Sequence, residues 1–121
     1  MNNQQSEKIN KRELGGRQEE KACRFLTEHG LTILERNYRV RPGEVDIIAR
    51  EGDTVCFIEV KYRASRKYGG ANYAISAKKQ QTIRKVAQWY ITSHHLPENG
   101  FYRFDAVLIN GDEIQYLRNA W

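Results

Sequence analysis

The chain has 121 residues, of which 40% are hydrophobic and 29% charged, and its formal net charge is +5. This balance is typical of one globular domain, and the two cysteines are too few for a disulfide scaffold. The sequence contains neither an apolar run of about 20 residues nor the apolar core of a signal peptide, so we expect a cytoplasmic protein with no membrane partner.

The N-terminal third of the chain predicts one helix followed by one strand. Residues 1–11 are polar and lack periodicity, which predicts a disordered arm before a single domain over residues 12–121. Apolar residues at helical spacing then predict a helix over residues 16–29, with Gly30 at the position of a helix-ending glycine. Residues 31–40 have the composition of a strand.

A β-hairpin is predicted next. Arg41-Pro42-Gly43 interrupts the first strand, and two apolar runs follow, at residues 45–49 and 55–60. The turn lies at Glu51-Gly52-Asp53, since Gly-Asp is a common two-residue hairpin loop.

The C-terminal half predicts a loop over residues 62–74, a helix over 77–95, and strands over 101–109 and 113–117. The element order is therefore α-β-β-β-α-β-β. A helix between two strands of one sheet favours a parallel, right-handed crossover. We expect an α/β domain with a mixed sheet flanked by helices.

Two carboxylates, Asp46 and Glu59, interrupt the apolar hairpin strands, where an unpaired charge is costly. If the loop has two residues, Glu51 faces Thr54, and each facing pair sums to 105. This register places Asp46 opposite Glu59, with Cβ atoms about 5 Å apart on one face of the sheet.

The predicted pair has the chemistry of a divalent-cation site. Mg²⁺ prefers oxygen ligands and retains several waters, so Asp46, Glu59 and a backbone carbonyl, assigned to Val60, would suffice; Mn²⁺ is the alternative ion. The alternative interpretation is a structural pair of buried acids bonded to Arg39 or Lys61.

Two further charged residues are candidates for the same site. Lys61 follows Glu59 by two residues and therefore shares its face, where an ammonium would orient a water or stabilise charge on phosphorus. Glu19 precedes Ala22 by three residues and Leu26 by seven, which places it beside the apolar side of the first helix. An ordinary surface acid is the alternative for Glu19.

An ordered set of motifs from about residue 14 to residue 118 resembles the YraN-like uncharacterised protein family, within the PD-(D/E)xK nuclease-like superfamily. The chain is also similar to the archaeal-type Holliday junction resolvases. Val45 precedes Asp46, where the superfamily name has proline. The motifs are Gly16-x-x-Glu19-x-x-Ala22, Gly43-Glu44-Val45-Asp46-Ile47-Ile48, Phe57-Ile58-Glu59-Val60-Lys61-Tyr62-Arg63, Lys79 and Arg103-Phe104-Asp105.

This resemblance implies a restriction-endonuclease-like fold and Mg²⁺-dependent cleavage of DNA. It implies Asp46 and Glu59 as metal ligands, Lys61 as the catalytic lysine and Glu19 as the helix acid. Action on a four-way junction requires two active sites, and hence a homodimer.

A basic stretch predicts the nucleic-acid surface. Residues 61–97 contain eight basic side chains and no acidic one, and such clusters suit polyanions because neutralised phosphates release counterions. The alternative is a solvated helix face. The candidate contacts are Arg63, Lys78, Lys79 and Arg84.

Roles are also predicted for a charged pair and for several tyrosines in the second half of the chain. Arg103 and Asp105 share a strand face, and we expect a structural pair near the edge of the site. Tyr62, Tyr68 and Tyr73 are candidates for stacking on unpaired bases, whereas Tyr90 fits the core face of its helix.

The leading hypothesis is a metal-dependent, structure-directed endodeoxyribonuclease. The alternatives are a nucleic-acid-binding module with the same fold but no turnover, and an adaptor for DNA recombination or repair proteins. Metal-dependent nicking separates the first from the other two.

Overall fold

The computed structural model describes residues 11–63 and 75–121. Its elements follow the predicted order α-β-β-β-α-β-β. No helix in the described ranges is long and apolar enough to cross a membrane. The elements are α1 (Lys11–Glu28), β1 (Thr32–Val40), β2 (Gly43–Glu51), β3 (Thr54–Arg63), α2 (Ala77–Ser93), β4 (Phe101–Asn110) and β5 (Glu113–Leu117).

One five-stranded sheet, in the order β1-β2-β3-β4-β5, forms the centre of the molecule. β3 and β4 are parallel, and every other neighbouring pair is antiparallel. The parallel pair is the one joined through α2, as expected for a helical crossover. The predicted mixed α/β sheet is therefore confirmed.

Alternation along the central strands produces a core on each face of the sheet. Under α1, Leu26 packs with Ile47, Ile58 and other apolar side chains. Under α2, Ile83 and other apolar helix residues pack with Phe57. Because both faces are covered, the central strands read as nearly continuous apolar runs.

Two boundaries differ from those predicted by more than two residues. α1 begins at Lys11, five residues before the predicted start. β3 continues through Tyr62 and Arg63, which we assigned to a loop, because their parallel partners on β4, Ile109 and Asn110, extend the ladder. The remainder of that predicted loop, 64–74, and residues 1–10 lie outside the described residues.

A close contact at Gly43 positions α2 over the start of β2. A Cβ atom on Gly43 would lie 2.5 Å from Thr82 Cγ2, nearer than carbon atoms approach without a shift. The helix is capped at its N-terminus by Ser76, whose Oγ accepts a hydrogen bond from the Lys79 backbone N–H at 3.1 Å. Together these contacts define where the first turn of α2 meets the sheet.

Candidate metal centre

The hairpin has the predicted register up to the candidate site. Five facing pairs join β2 to β3, from Glu51↔Thr54 to Ile47↔Ile58, and each pair sums to 105. A two-residue loop at Gly52 and Asp53 closes the hairpin, with Gly52 at φ +59°, a conformation that glycine adopts without strain.

Asp46 leaves the ladder instead of forming the predicted sixth facing pair with Glu59. Its Oδ2 accepts a hydrogen bond from the Val60 backbone N–H at 2.8 Å, so a side-chain oxygen replaces the backbone carbonyl as acceptor. The alternation of β2 changes at the same point, because Val45 and Ile48 pack in one core although they are three residues apart. β2 thus separates from β3 at Asp46.

Glu59 nevertheless lies beside Asp46. The Glu59 side chain is buried, with only 4% of the residue exposed, and its carboxyl group is within hydrogen-bonding range of the Asp46 carboxyl group. The ammonium group of Lys79, in the first turn of α2, contacts Glu59, with Nζ 3.5 Å from Oε2. The predicted pairing of the two carboxylates is therefore present, although it arises through side chains at the end of the ladder.

The surroundings of Asp46 strongly favour its protonated form. Burial, followed by the hydrogen bond and negative charge of Glu59, raises the pKa of Asp46 from its ordinary value to about 8. The Val60 N–H and the charge of Lys79 act in the opposite direction and offset only part of this rise. A divalent ion that binds the pair would therefore compete with a proton.

Glu19 projects from α1 toward the same region. It is partly buried, it hydrogen-bonds Asn37, and the negative charge of Asp46 is close enough to influence its titration. Burial is the main cause that raises the pKa of Glu19, and Asn37 opposes it. Asn37 lies on β1 between the residues that face Val45 and Ile47, at φ +52°, across from the point where β2 departs from regular geometry.

Lys61 and Arg63 continue β3 beyond the carboxylates. Lys61 is partly buried and Arg63 is exposed at the end of the strand. Both alternate with Val60 and therefore share the strand face of Glu59. This side of the sheet is also the one that α2 covers.

The donor set fits a hard divalent cation, but it is small. Asp46 and Glu59 offer carboxylate oxygens at a partly enclosed position, which matches the preference of Mg²⁺ for oxygen ligands together with waters. Within residues 11–63 and 75–121, no three His, Cys, Asp or Glu side chains are grouped closely enough to hold a metal ion by themselves. Water, backbone or substrate oxygens would have to complete the coordination.

The basic residues of α2 are divided between its two sides. Lys78 is exposed, whereas the neighbouring Lys79 turns inward to Glu59. Arg84 lies over the ring of Phe104, with its guanidinium carbon 4.6 Å from the ring centroid. Lys79 is the cation that sequence reasoning assigned to phosphate and the structure places on a carboxylate.

The structural alternative for the two acids involved Arg39 or Lys61. Arg39 instead forms an exposed ion pair with Glu44, with Nη2 3.0 Å from Oε2. Lys79, a cation in contact with Glu59, comes from α2, and no argument from hairpin register alone could identify it.

Arg103 and Asp105 form the expected pair, but on the other face of the sheet. Asp105 is fully buried and accepts hydrogen bonds from Arg103, Tyr116 and the backbone N–H of Asn119. It neighbours Ile58 in the parallel ladder, and Ile58 packs under α1, whereas Glu59 points toward α2. The expectation that this pair borders the site was wrong, because one residue of offset reverses the face.

Comparisons with known proteins identify relatives over most of the chain. The sequence model of the family described as "Uncharacterised protein family UPF0102" matches residues 18–109. A UPF0102 protein of Nitrosomonas europaea is 48% identical over 88% of this chain and 92% of its own length. A UPF0102 protein of Caldicellulosiruptor saccharolyticus is also 48% identical, over 93% of this chain and its own full length.

A solved structure shares the fold. Hjc from Archaeoglobus fulgidus, a Holliday junction resolvase, superposes with a TM-score of 0.53 over 84% of this chain and 73% of its own. Its sequence is 18% identical to this one, so the likeness establishes the architecture.

Proposed function

The chain belongs to the uncharacterised protein family UPF0102, and for the carboxylate site described above we propose a Mg²⁺- or Mn²⁺-dependent endonuclease that acts on DNA in the cytoplasm. The observation that carries the proposal is the juxtaposition of Asp46 and Glu59 where β2 leaves β3. Two acids that share a site reduce the stability of the fold, and a bound cation would offset that cost.

Asp46, Glu59 and Val60 are the proposed metal ligands. In an antiparallel ladder the N–H and C=O of one residue face the same neighbouring strand. Since the Val60 N–H points to Asp46, its carbonyl is expected on the same side, beside the two carboxylates. When bound, the cation supplies Lewis acidity, which lowers the pKa of a water and neutralises charge on the scissile phosphate.

Lys61 and Glu19 are the remaining proposed catalytic residues. Lys61 shares the face of Glu59 and would hold the nucleophilic water or the phosphate by charge. Glu19 would accept a proton from a water, since its raised pKa makes it a better base than an exposed glutamate. Arg63 and Lys78 would position the phosphate backbone at the mouth of the site.

The solved relative is named for its action on Holliday junctions, and a structure-directed activity of this chain is proposed by analogy. Symmetric cleavage of a four-way junction needs two sites, so this activity would require a homodimer.

The second candidate is a DNA-binding module without turnover. The ion pair between Lys79 and Glu59 favours it, because an ammonium at that carboxylate competes with a divalent cation. The grouping of only two acids at the described site favours it as well.

Cleavage assays separate the two candidates. Purified protein is incubated with labelled duplex, single-stranded, flap and four-way-junction DNA, in Mg²⁺, Mn²⁺ or EDTA. We expect cleavage in the metal-containing samples, and a loss of at least about a hundredfold in the Glu59→Gln and Lys61→Ala variants. Asp53→Asn, in the exposed hairpin turn, is the matched control and should cut like the wild type.

The dependence on metal makes the assay decisive. Cleavage that persists in EDTA or in Glu59→Gln would indicate a contaminating nuclease or another site. Metal-independent binding to all four substrates, with no product at any metal concentration, would favour the binding module.

A further inference from the structure

The outer side of α2 presents a stripe that extends beyond the proposed catalytic site, which uses only its first residue, Lys78. Lys78, Thr82, Lys85 and Trp89 follow one another at spacings of four, three and four residues, and therefore lie on one side of the helix. Trp89 is 45% exposed, an unusual state for a tryptophan in a small domain. Sequence reasoning considered tyrosines for base stacking and overlooked this residue.

Trp89 borders a pocket between α2 and the β1–β2 turn. The pocket has a volume of about 540 Å³, within the range of small-molecule sites. Its position is well defined, because the packing of Gly43 against Thr82 holds the turn to the helix. The lining residues are Pro42, Lys85, Gln88, Trp89, Thr92 and Ser93.

The charge around this pocket favours an anionic ligand. Among the described residues that line it, Lys85 is the charged one. Exposed Arg41 lies beside Pro42 in the turn, and residues 75–97 contain no acidic side chain. A flat aromatic ring beside a lysine suits an aromatic ligand that carries phosphate.

The stripe connects this pocket to the carboxylate site. It begins at Lys78, next to Lys79, whose ammonium contacts Glu59. From Lys78 to Trp89 the helix rises about 16 Å, at about 1.5 Å per residue over eleven residues. A strand held at the carboxylates could therefore reach the pocket within a few nucleotides.

We propose that this pocket binds an unpaired base of a nucleic-acid strand, stacked on Trp89, with Lys85 at the adjoining phosphate. The inference rests on the proposed nuclease function and names its substrate class: nucleic acid with a single-stranded segment on the α2 side of the carboxylates. A base inside a duplex is stacked on both faces and cannot cover the indole, so the pocket distinguishes unpaired from paired strands.

Binding measured in EDTA tests the inference separately from catalysis. Fluorescence anisotropy with a labelled oligo(dT) and with a duplex of equal length gives the two affinities. We expect Trp89→Ala to weaken oligo(dT) binding roughly five- to 150-fold, since stacking is worth about 1–3 kcal/mol per base, and to change duplex binding less than twofold. Phe101→Ala removes the other large apolar side chain that is exposed within residues 16–63 and 75–121; it is the matched control and should bind like the wild type.

Tryptophan fluorescence provides a second readout. The chain has two tryptophans, and Trp121→Phe leaves Trp89 as the sole emitter. Oligo(dT) should quench this emission and the duplex should not. Quenching that depends on protein concentration without DNA would assign the pocket to a second copy of the chain and overturn the inference.

The outcomes distinguish the two proposals. Unchanged oligo(dT) affinity in Trp89→Ala, together with metal-dependent cleavage by the wild type, would refute the base pocket and leave the nuclease function intact. Trp89-dependent oligo(dT) binding without cleavage of any substrate would support the pocket and refute the catalytic proposal.

Discussion

Among the described residues, two acidic side chains are buried, Glu59 and Asp105, and their partners differ. Asp105 is surrounded by donors: the Arg103 guanidinium, the Tyr116 hydroxyl and a backbone N–H. Glu59 instead faces another acid, Asp46, and a lysine at 3.5 Å. A carboxylate satisfied by donors stabilises the fold, whereas one placed against a second carboxylate reduces stability unless it gains a cation. At the level of single residues, this contrast separates a structural acid from the two acids proposed to bind a cation.

The raised pKa of Asp46 predicts how stability varies with pH. A carboxyl group that binds its proton more tightly in the folded state favours folding fully below its unfolded pKa near 4. That contribution is lost as the pH rises to about 8. Relative to Asp46→Asn, we expect the free energy of unfolding of the metal-free wild type to fall by up to about 1.4 kcal/mol per pH unit in this interval. Chemical denaturation of both proteins at several pH values measures the difference.

The effect of Mg²⁺ on the melting temperature complements the measurement of stability against pH. Mg²⁺ that binds only the folded site should raise the melting temperature of the wild type at neutral pH and leave that of Asp46→Asn unchanged. Marked destabilisation of Asp46→Asn without metal, with no Mg²⁺ effect in the wild type, would contradict the metal site and support a structural Asp46.

At the scale of elements, the position of α2 depends on a contact between Gly43 and Thr82. α2 supplies Lys79 to the carboxylates and Trp89 to the pocket, so a small displacement of the helix affects both sites. The contact needs a residue without Cβ, since the nearest carbon of Thr82 lies 2.5 Å from where that atom would be.

Gly43→Ala should therefore destabilise the domain by about 1–3 kcal/mol, the usual cost of overpacking. Thr82→Ala removes the opposing methyl group, so the double variant should recover part of that loss. Urea denaturation of the two single variants and the double variant measures this coupling. Strictly additive effects would show that the helix does not rest on this contact.

For the molecule as a whole, the excess of positive charge is concentrated in one stretch of the sequence. The chain carries 20 basic and 15 acidic residues, but residues 61–97 hold eight of the former and none of the latter. Lys78 and Lys85 lie on the outer side of α2, whereas Lys79 and Arg84 are engaged with Glu59 and the Phe104 ring. Within α2, two of the four basic side chains are thus left on the outer side for contact with phosphate.

The salt dependence of DNA binding tests this assignment. Combined Lys78→Ala and Lys85→Ala changes should lower the slope of log affinity against log salt by about 0.9 per lost duplex contact, or about 0.7 for a single strand. Arg24 is exposed on α1, which covers the other face of the sheet, so Arg24→Ala should leave the slope unchanged. An equal reduction in both proteins would indicate binding without a defined surface.

Sequence patterns alone predict the element order, the hairpin register and the identity of the two carboxylates. Those properties are local: apolar periodicity distinguishes helix from strand, and a two-residue loop at Gly52 specifies five facing pairs by counting. Motif resemblance over most of the chain indicated the family that the comparisons then established.

Three features emerge only when the chain is folded: Asp46 leaves the ladder, Lys79 contacts Glu59, and Trp89 borders a pocket with Pro42. Lys79 follows Glu59 by 20 residues, and Pro42 precedes Trp89 by 47, so no local pattern relates them. Their proximity depends on where α2, the helix of the parallel crossover, packs against the sheet. That position results from packing across the whole sheet, including the missing side chain at Gly43, and side-chain periodicity contains no information about it.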